Sequence, residues 1–159
     1  MKLYFRQTML GRVGIAEQGG NITAVCFDGY GIPPVAKAVN IAETALISEA
    51  FLQLDAYLAG KLREFSLPLV PQGTVFRQSV WKALYAVPYG TTASYKDIAL
   101  EIGNPKAARA VGQANNKNPI PIFIPCHRII GANGELVGYG GGLEIKVFLL
   151  ALEKQTLAK

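Results

Sequence analysis

Histidine occurs once in these 159 residues, at His127, and cysteine only twice, at Cys26 and Cys126. A structural zinc site takes four Cys or His ligands, so three such residues, two of them adjacent, give no reason to expect a metal. Two cysteines without a secretory leader are equally poor material for a disulfide framework. No apolar run reaches the roughly eighteen residues of a membrane-spanning helix. The opening Met1-Lys2-Leu3-Tyr4-Phe5-Arg6-Gln7 is broken by charge before a signal-peptide core forms. Charge itself is sparse: 17% of residues are charged and 50% hydrophobic, which excludes wholesale disorder. Internal repeats and low-complexity tracts are absent. A soluble cytoplasmic chain with no membrane partner is expected, of one domain or two small ones, burying roughly 70% of its unfolded surface.

The charge that is present is unevenly placed. Residues 1–71 hold six basic and six acidic side chains, so the net +5 lies entirely in residues 72–159. A neutral half joined to a basic half suggests that the basic half meets a polyanion.

Three β-rich segments, 2–7, 11–17 and 21–28, separated by Gly19-Gly20 and similar breaks, predict an antiparallel meander. Cys26 lies in the third and reads as a small buried apolar residue. Leu46, Ala50, Leu54, Tyr57 and Leu58 predict a helix over 41–59, stopped by Gly60. The two prolines and the glycine of 65–73 mark the domain boundary, giving an N-terminal unit 1–71 and a C-terminal unit 72–159. A helix is expected over 75–87. Ser94-Tyr95-Lys96-Asp97 has the form of a capping box opening another, which runs to about Ile102. Gly103-Asn104-Pro105 then predicts a glycine stop, an Asn cap and a proline-led helix over 105–115. Two short helices around a glycine turn form a helix-turn-helix pattern. The second is so rich in small residues that it suits either a narrow groove or close packing on a neighbouring helix; the basic half favours nucleic acid.

The chemistry concentrates in 118–130. Three prolines forbid a central ladder strand there, so an extended, stiff lead-in to Cys126 is expected. Beside Cys126 stand the sole histidine and Arg128. Thiolate is the reactive form of cysteine, and a nearby base or cation favours it. A Cys-His pair is also compatible with a buried structural cysteine. Neighbours in extended chain point opposite ways, so a water is expected to link His127 to the thiol. Downstream, Gly138-Tyr139-Gly140-Gly141-Gly142 forms a glycine-rich loop bearing one aromatic, suited to close on a flat ligand. It lacks the strand-then-helix context of a dinucleotide site, and no cofactor is expected. A last helix over 144–154 places Ile145, Phe148, Leu149 and Leu152 on one face with Glu153 at its flank, where an acid can orient the histidine.

Taken together, these segments resemble the O6-alkylguanine-DNA alkyltransferases, also called methylated-DNA–protein-cysteine methyltransferases. The family signature P-C-H-R and two aliphatic residues stands here as Pro125, Cys126, His127, Arg128, Ile129 and Ile130. Gly103-Asn104-Pro105-Lys106-Ala107-Ala108-Arg109-Ala110-Val111-Gly112, Asn118-Pro119, Gly138-Tyr139, Gly141-Gly142 and Lys146…Leu149-Leu150…Glu153 fit in order and spacing. The likeness is close over 74–153 and general before it.

The resemblance implies an α+β chain: a small N-terminal antiparallel sheet with a helix, then a winged-helix-like helix-turn-helix unit carrying the active site. It implies single-turnover, irreversible transfer of an alkyl group from O6-alkylguanine, with O4-alkylthymine a second candidate, to Cys126. His127, acting through water and held by Glu153, would take the thiol proton. Tyr95 would donate to the departing guanine, and Asn118 would brace the active-site turn. A monomer would bind double-stranded DNA through the minor groove, with Arg109 inserted where the damaged base flips out. Ala107, Ala108, Gly112, Asn115 and Arg128 would make further DNA contacts. Tyr139, Gly140 and Ile129 would line the base pocket, and no metal is implied. Many relatives carry a hydroxyl residue at the position of Gly140, so that side-chain contact is missing here. Two other readings stay open: a DNA-binding regulator or lesion binder that transfers nothing, and a cysteine hydrolase using Cys126, His127 and Glu153.

Overall fold

The computed structural model describes residues 1–28, 39–136, 139 and 142–159. Strands β1 (Lys2–Thr8), β2 (Gly11–Gln18) and β3 (Asn21–Phe27) form the expected meander. Gly19 and Gly20 both take positive φ, 60° and 81°, which a two-residue turn matching the sheet's twist requires. A fourth strand, β4 (Asn40–Ile41), pairs in parallel with β1, giving the order β3-β2-β1-β4. Ile41 was expected to open a helix. It is drawn into the sheet instead, because helix α1 (Ala45–Leu58) starts only where the Thr44 hydroxyl accepts the Ile47 N–H at 3.1 Å. Ile47, Ala50, Phe51, Leu54, Tyr57 and Leu58 form the buried face of α1, while Val13, Ile15 and Val25 belong to the same core from the sheet. Each such large side chain contributes about 1.5–3 kcal/mol.

The proline-rich segment 65–73 is fastened to the sheet. Ile22 N–H donates to Pro68 C=O at 2.8 Å and Val70 N–H to Ile22 C=O at 3.0 Å, so this stretch lies along the outer edge of β3. Helix α2 (Val75–Tyr85) follows, capped by Thr74. Its buried Trp81 donates from Nε1 to Ala114 C=O at 2.9 Å, tying it to the helix-turn-helix. Strand β5 (Ala93–Ser94) leads into helix α3 (Tyr95–Glu101), and both halves of the predicted capping box are present.

The next helix, α4 (Ala108–Asn116), begins three residues later than the sequence predicts and has no side-chain cap. Asn104 is spent on ending α3: its N–H closes onto Ala99 C=O at 2.9 Å beside Gly103 at φ 78°. Pro105 and Lys106 then form a separate turn. A 3-10 turn (Cys126–Arg128) and strand β6 (Ile129–Ile130), parallel to β5, precede the last helix, α5 (Leu143–Leu157).

In α5 the buried line is Lys146, Leu149, Glu153 and Thr156; of the anticipated stripe Leu149 is buried, Ile145 and Leu152 pack partly buried against the core, and Phe148 falls outside it. Phe148 is 37% exposed, whereas Glu153 is 1% exposed. The helix is turned so that two charged side chains face inward, and their partners explain why. Among the described residues, no helix is long and apolar enough to cross a membrane.

Candidate active site

Residues 118–125 do not form the extended lead-in expected of three prolines. They double back: Ile124 N–H donates to Ile120 C=O at 2.9 Å, and Ile122 takes φ 74°, an uncommon conformation for a β-branched residue. Asn118 holds both ends, accepting from Ile120 N–H at 3.0 Å and donating through Nδ2 to Ile124 C=O at 2.9 Å. This compact turn presents Cys126, 2% exposed, at the start of the 3-10 turn. Burial pushes the thiol up to about 11, against the pull of hydrogen bonds from the Asn118 side chain and the N–H groups of Cys126 and Ile122, and of the Lys146 charge. At neutral pH the sulfur therefore rests protonated in a nest of groups that favour its anion.

His127 is fully buried, with Nε2 2.7 Å from Glu153 Oε2. Glu153 is the hub of the site. Oε1 accepts from Gly90 N–H at 3.0 Å and Arg128 Nε at 2.9 Å; Oε2 accepts from Arg128 Nη2 at 3.0 Å and Tyr57 Oη at 2.5 Å as well as from His127. Burial alone would raise its carboxyl group, but the hydrogen bonds from His127, Arg128 and Tyr57 hold it at about 2. An ionised Glu153 keeps the imidazole proton on Nε2. Nδ1, buried and without a hydrogen-bond partner among the described residues, is then the basic nitrogen. Burial, the largest influence, keeps His127 neutral by lowering its pKa despite the carboxylate. Among the described residues no hydrogen bond joins His127 to the Cys126 sulfur.

The remaining candidates divide between pocket, surface and core. Tyr95 opens α3 half-buried; burial and the nearby Cys126 raise its phenol. It faces Gly112, where even a Cβ would lie 3.7 Å from the ring. The register Ala93↔Ile129 pins buried Ile129 beside the start of α3. The Ile129 carbonyl already accepts from Lys146 Nζ at 2.5 Å, leaving its second lone pair. Tyr139 is buried, its hydroxyl has no partner among the described residues, and Cys126 is one of the groups acting on it. Gly140, like Gly138 and Gly141, lies outside the described residues. On α4, Arg109 is exposed and makes no ion pair among the described residues, while Ala107, Ala108 and Gly112 are half-exposed around it.

Two expected DNA contacts are corrected. Arg128 is turned inward at 7% exposure, its guanidinium committed to Glu153 and, through Nη1 at 2.7 Å, to Val87 C=O. Asn115 is 2% exposed on the inner face of α4, and both its amide atoms lack partners among the described residues. Neither side chain faces solvent. Two residues gain importance that the sequence reading gave no role. Lys146 is fully buried, bonded to Ile129 and acting on the thiol, and its i, i+3, i+7 spacing with Leu149 and Glu153 was the available signal. Tyr57, from the other half of the chain, carried none.

Two family profiles match the chain. Residues 75–155 match "6-O-methylguanine DNA methyltransferase, DNA binding domain" and residues 1–71 match its "ribonuclease-like domain". A constitutive methylated-DNA–protein-cysteine methyltransferase of Bacillus subtilis is 47% identical over 93% of this chain and 92% of its own length. The Methanosarcina barkeri protein of the same name is 61% identical over 69% of each. Among solved structures, Mycobacterium tuberculosis OGT in complex with DNA superposes with a TM-score of 0.92 at 44% identity, over 98% of this chain and 94% of that one. With both profiles and these relatives in agreement, the chain belongs to the 6-O-methylguanine DNA methyltransferase family.

Proposed function

We propose that this protein repairs DNA by direct reversal, moving the alkyl group of O6-alkylguanine onto the sulfur of Cys126. The observation that carries the reading is the buried thiol, ringed by anion-favouring donors and followed by a histidine whose tautomer a five-fold hydrogen-bonded carboxylate dictates. The thiol proton passes through one water to His127 Nδ1, and Glu153 stabilises the imidazolium that forms. The thiolate attacks the alkyl carbon in line. The S–C bond forms as the C–O bond breaks, and Tyr95 donates its proton toward the guanine as charge develops there. Lys146, by adding positive charge near the sulfur, favours the same ionisation.

The lesion reaches Cys126 only if it leaves the base stack. Helix α4 supplies a surface for that: small residues at 107, 108 and 112 allow close approach to a minor groove, and exposed Arg109 fills the gap left by the flipped nucleotide. A monomer acting in the cytoplasm suffices. Residues 72–159 carry the DNA surface and the nucleophile, and residues 1–71 a supporting unit. The rival non-catalytic lesion binder is disfavoured by the presence of Cys126 itself.

Incubation with duplex DNA carrying O6-methylguanine, followed by mass spectrometry, tests the proposal. One methyl-sized mass gain located at Cys126 is expected. Cys126→Ser should bind the same duplex and gain nothing, because a serine hydroxyl is far less ionised than a thiol. A methyl on another residue, or none on the unmodified protein, overturns it.

A further inference from the structure

We infer that Tyr57, from helix α1 of the N-terminal unit, is a positioning residue of the proton relay, setting the orientation and hydrogen-bonding strength of Glu153 toward His127. The inference rests on the repair reading above and extends it across the domain seam. Tyr57 is fully buried, and its hydroxyl donates to Glu153 Oε2 at 2.5 Å, the oxygen that also receives His127 Nε2 at 2.7 Å. The phenol oxygen lies 3.4 Å from that imidazole nitrogen. Three donors, Tyr57 Oη, His127 Nε2 and Arg128 Nη2, thus share one carboxylate oxygen, and each weakens the hold of the others.

The ring of Tyr57 is fixed by its surroundings. It meets Tyr89 edge-on at 6.1 Å and Phe65 at 5.2 Å, and Phe65 meets Phe123 edge-on at 4.7 Å. Phe123 belongs to the turn that presents Cys126. One aromatic cluster therefore connects α1 with both the nucleophile's turn and the hub carboxylate, although Tyr57 and Glu153 are 96 positions apart. Packing alone needs only the ring; the hydroxyl is what touches the relay.

The consequence is electrostatic. The charged groups acting on His127 are Glu153 and Lys146 from α5 and Arg128 from its own turn, with the Tyr57 phenol facing it from α1. Removing the hydroxyl leaves more negative charge on Oε2 for the imidazolium, so His127 should hold its proton to higher pH. It also removes one of the three donors that orient Oε2, which slows transfer.

Because His127 is the only histidine, its ring Cε1 proton reports its titration without ambiguity in the NMR spectrum of the intact chain. In Tyr57→Phe the midpoint is expected to rise by about half to one pH unit, the worth of one net hydrogen bond. The acid limb of the single-turnover rate profile should move with it, and the plateau rate should fall several-fold. Site-specific 3-fluorotyrosine at position 57, a stronger donor of the same shape, should move the midpoint down, which keeps the test alive should Tyr57→Phe fail to fold. An unmoved midpoint in either folded variant, or a shift of the opposite sign, overturns the role of Tyr57. Alkyl transfer by the unmodified protein is scored separately: transfer without a shift removes only Tyr57, whereas no transfer removes the repair reading.

Discussion

Arg128 and Glu153 meet fork to fork, Nε on Oε1 at 2.9 Å and Nη2 on Oε2 at 3.0 Å, with both side chains buried. The pair converts what reads as a surface arginine into the counter-charge of the buried Glu153 carboxylate. It also makes that carboxylate a structural element, since each removed partner strands a charge in the core.

Glu153→Gln is therefore expected to destabilise the fold by about 3–5 kcal/mol, beyond its effect on transfer, because Arg128 is left buried without compensation. Arg128→Met on the Glu153→Gln background should restore part of that loss. Urea unfolding of the two variants measures it, and a loss under about 1 kcal/mol in Glu153→Gln would contradict the hub.

Acid should unfold the protein in two stages. His127 binds a proton less readily folded than unfolded, its pKa lying below 6.5, so stability begins to fall as pH drops through that region. Glu153 holds its charge down to about 2 when folded but takes a proton near 4.5 when unfolded, so a further loss runs from about 4.5 to 2. Cys126 works at the other end: its thiol is raised from 9.0 to about 11, and stability should decline as pH climbs between them. Melting temperature followed from pH 3 to pH 10 is expected to peak near neutrality, and a maximum below pH 5 would refute this account.

Arg109→Ala should slow repair of duplex DNA while sparing transfer from the free base O6-benzylguanine, since only the duplex needs a nucleotide extruded. The exposed side chain, without an ion pair among the described residues, motivates this. Removing the Tyr95 hydroxyl should slow both substrates, because its role is in the chemistry. Equal losses on both substrates for Arg109→Ala would end the case for a finger.

The stoichiometry should be one. A thioether at Cys126 has no leaving group that water or His127 readily displaces, so repair should plateau at one alkyl group per active molecule. The added methyl must fit where the sulfur is 2% exposed, inside a turn closed by Asn118 and Ile122. The spent protein should lose about 1–3 kcal/mol, as overpacked interiors do. Titration with excess lesion DNA tests the first claim, and melting of fresh against alkylated protein tests the second. Several equivalents repaired, or an unchanged melting temperature, would refute them respectively.

Legibility followed sequence distance. The capping box at Ser94 and Asp97 spans four residues, and its physics is complete within them, so the sequence alone disclosed it. Cys126 and His127 stood out because their types are rare in this chain and adjacent. Asn104 misled because its side chain suits a cap while its carbonyl closes a separate turn, accepting from Ala107 N–H at 3.0 Å before α4 begins. Arg128 and Asn115 misled because solvent exposure is the default for polar residues, and only the tertiary arrangement turns them inward. Tyr57 was invisible for the plainest reason: nothing near it in sequence hints at a carboxylate 96 positions away.

The outer strand β3 has a further consequence. Its edge is met by Pro68 and Val70 on Ile22, and by the Pro119 carbonyl, which accepts the Val25 N–H at 2.8 Å. A bare outer strand invites a second molecule to add its own strand, the first step of aggregation. Here part of that edge is occupied by the same 118–125 turn that presents Cys126. The seam thus guards the molecule against its own copies, and any event that pries the turn from the sheet uncovers an adhesive edge at the moment it disarms the site.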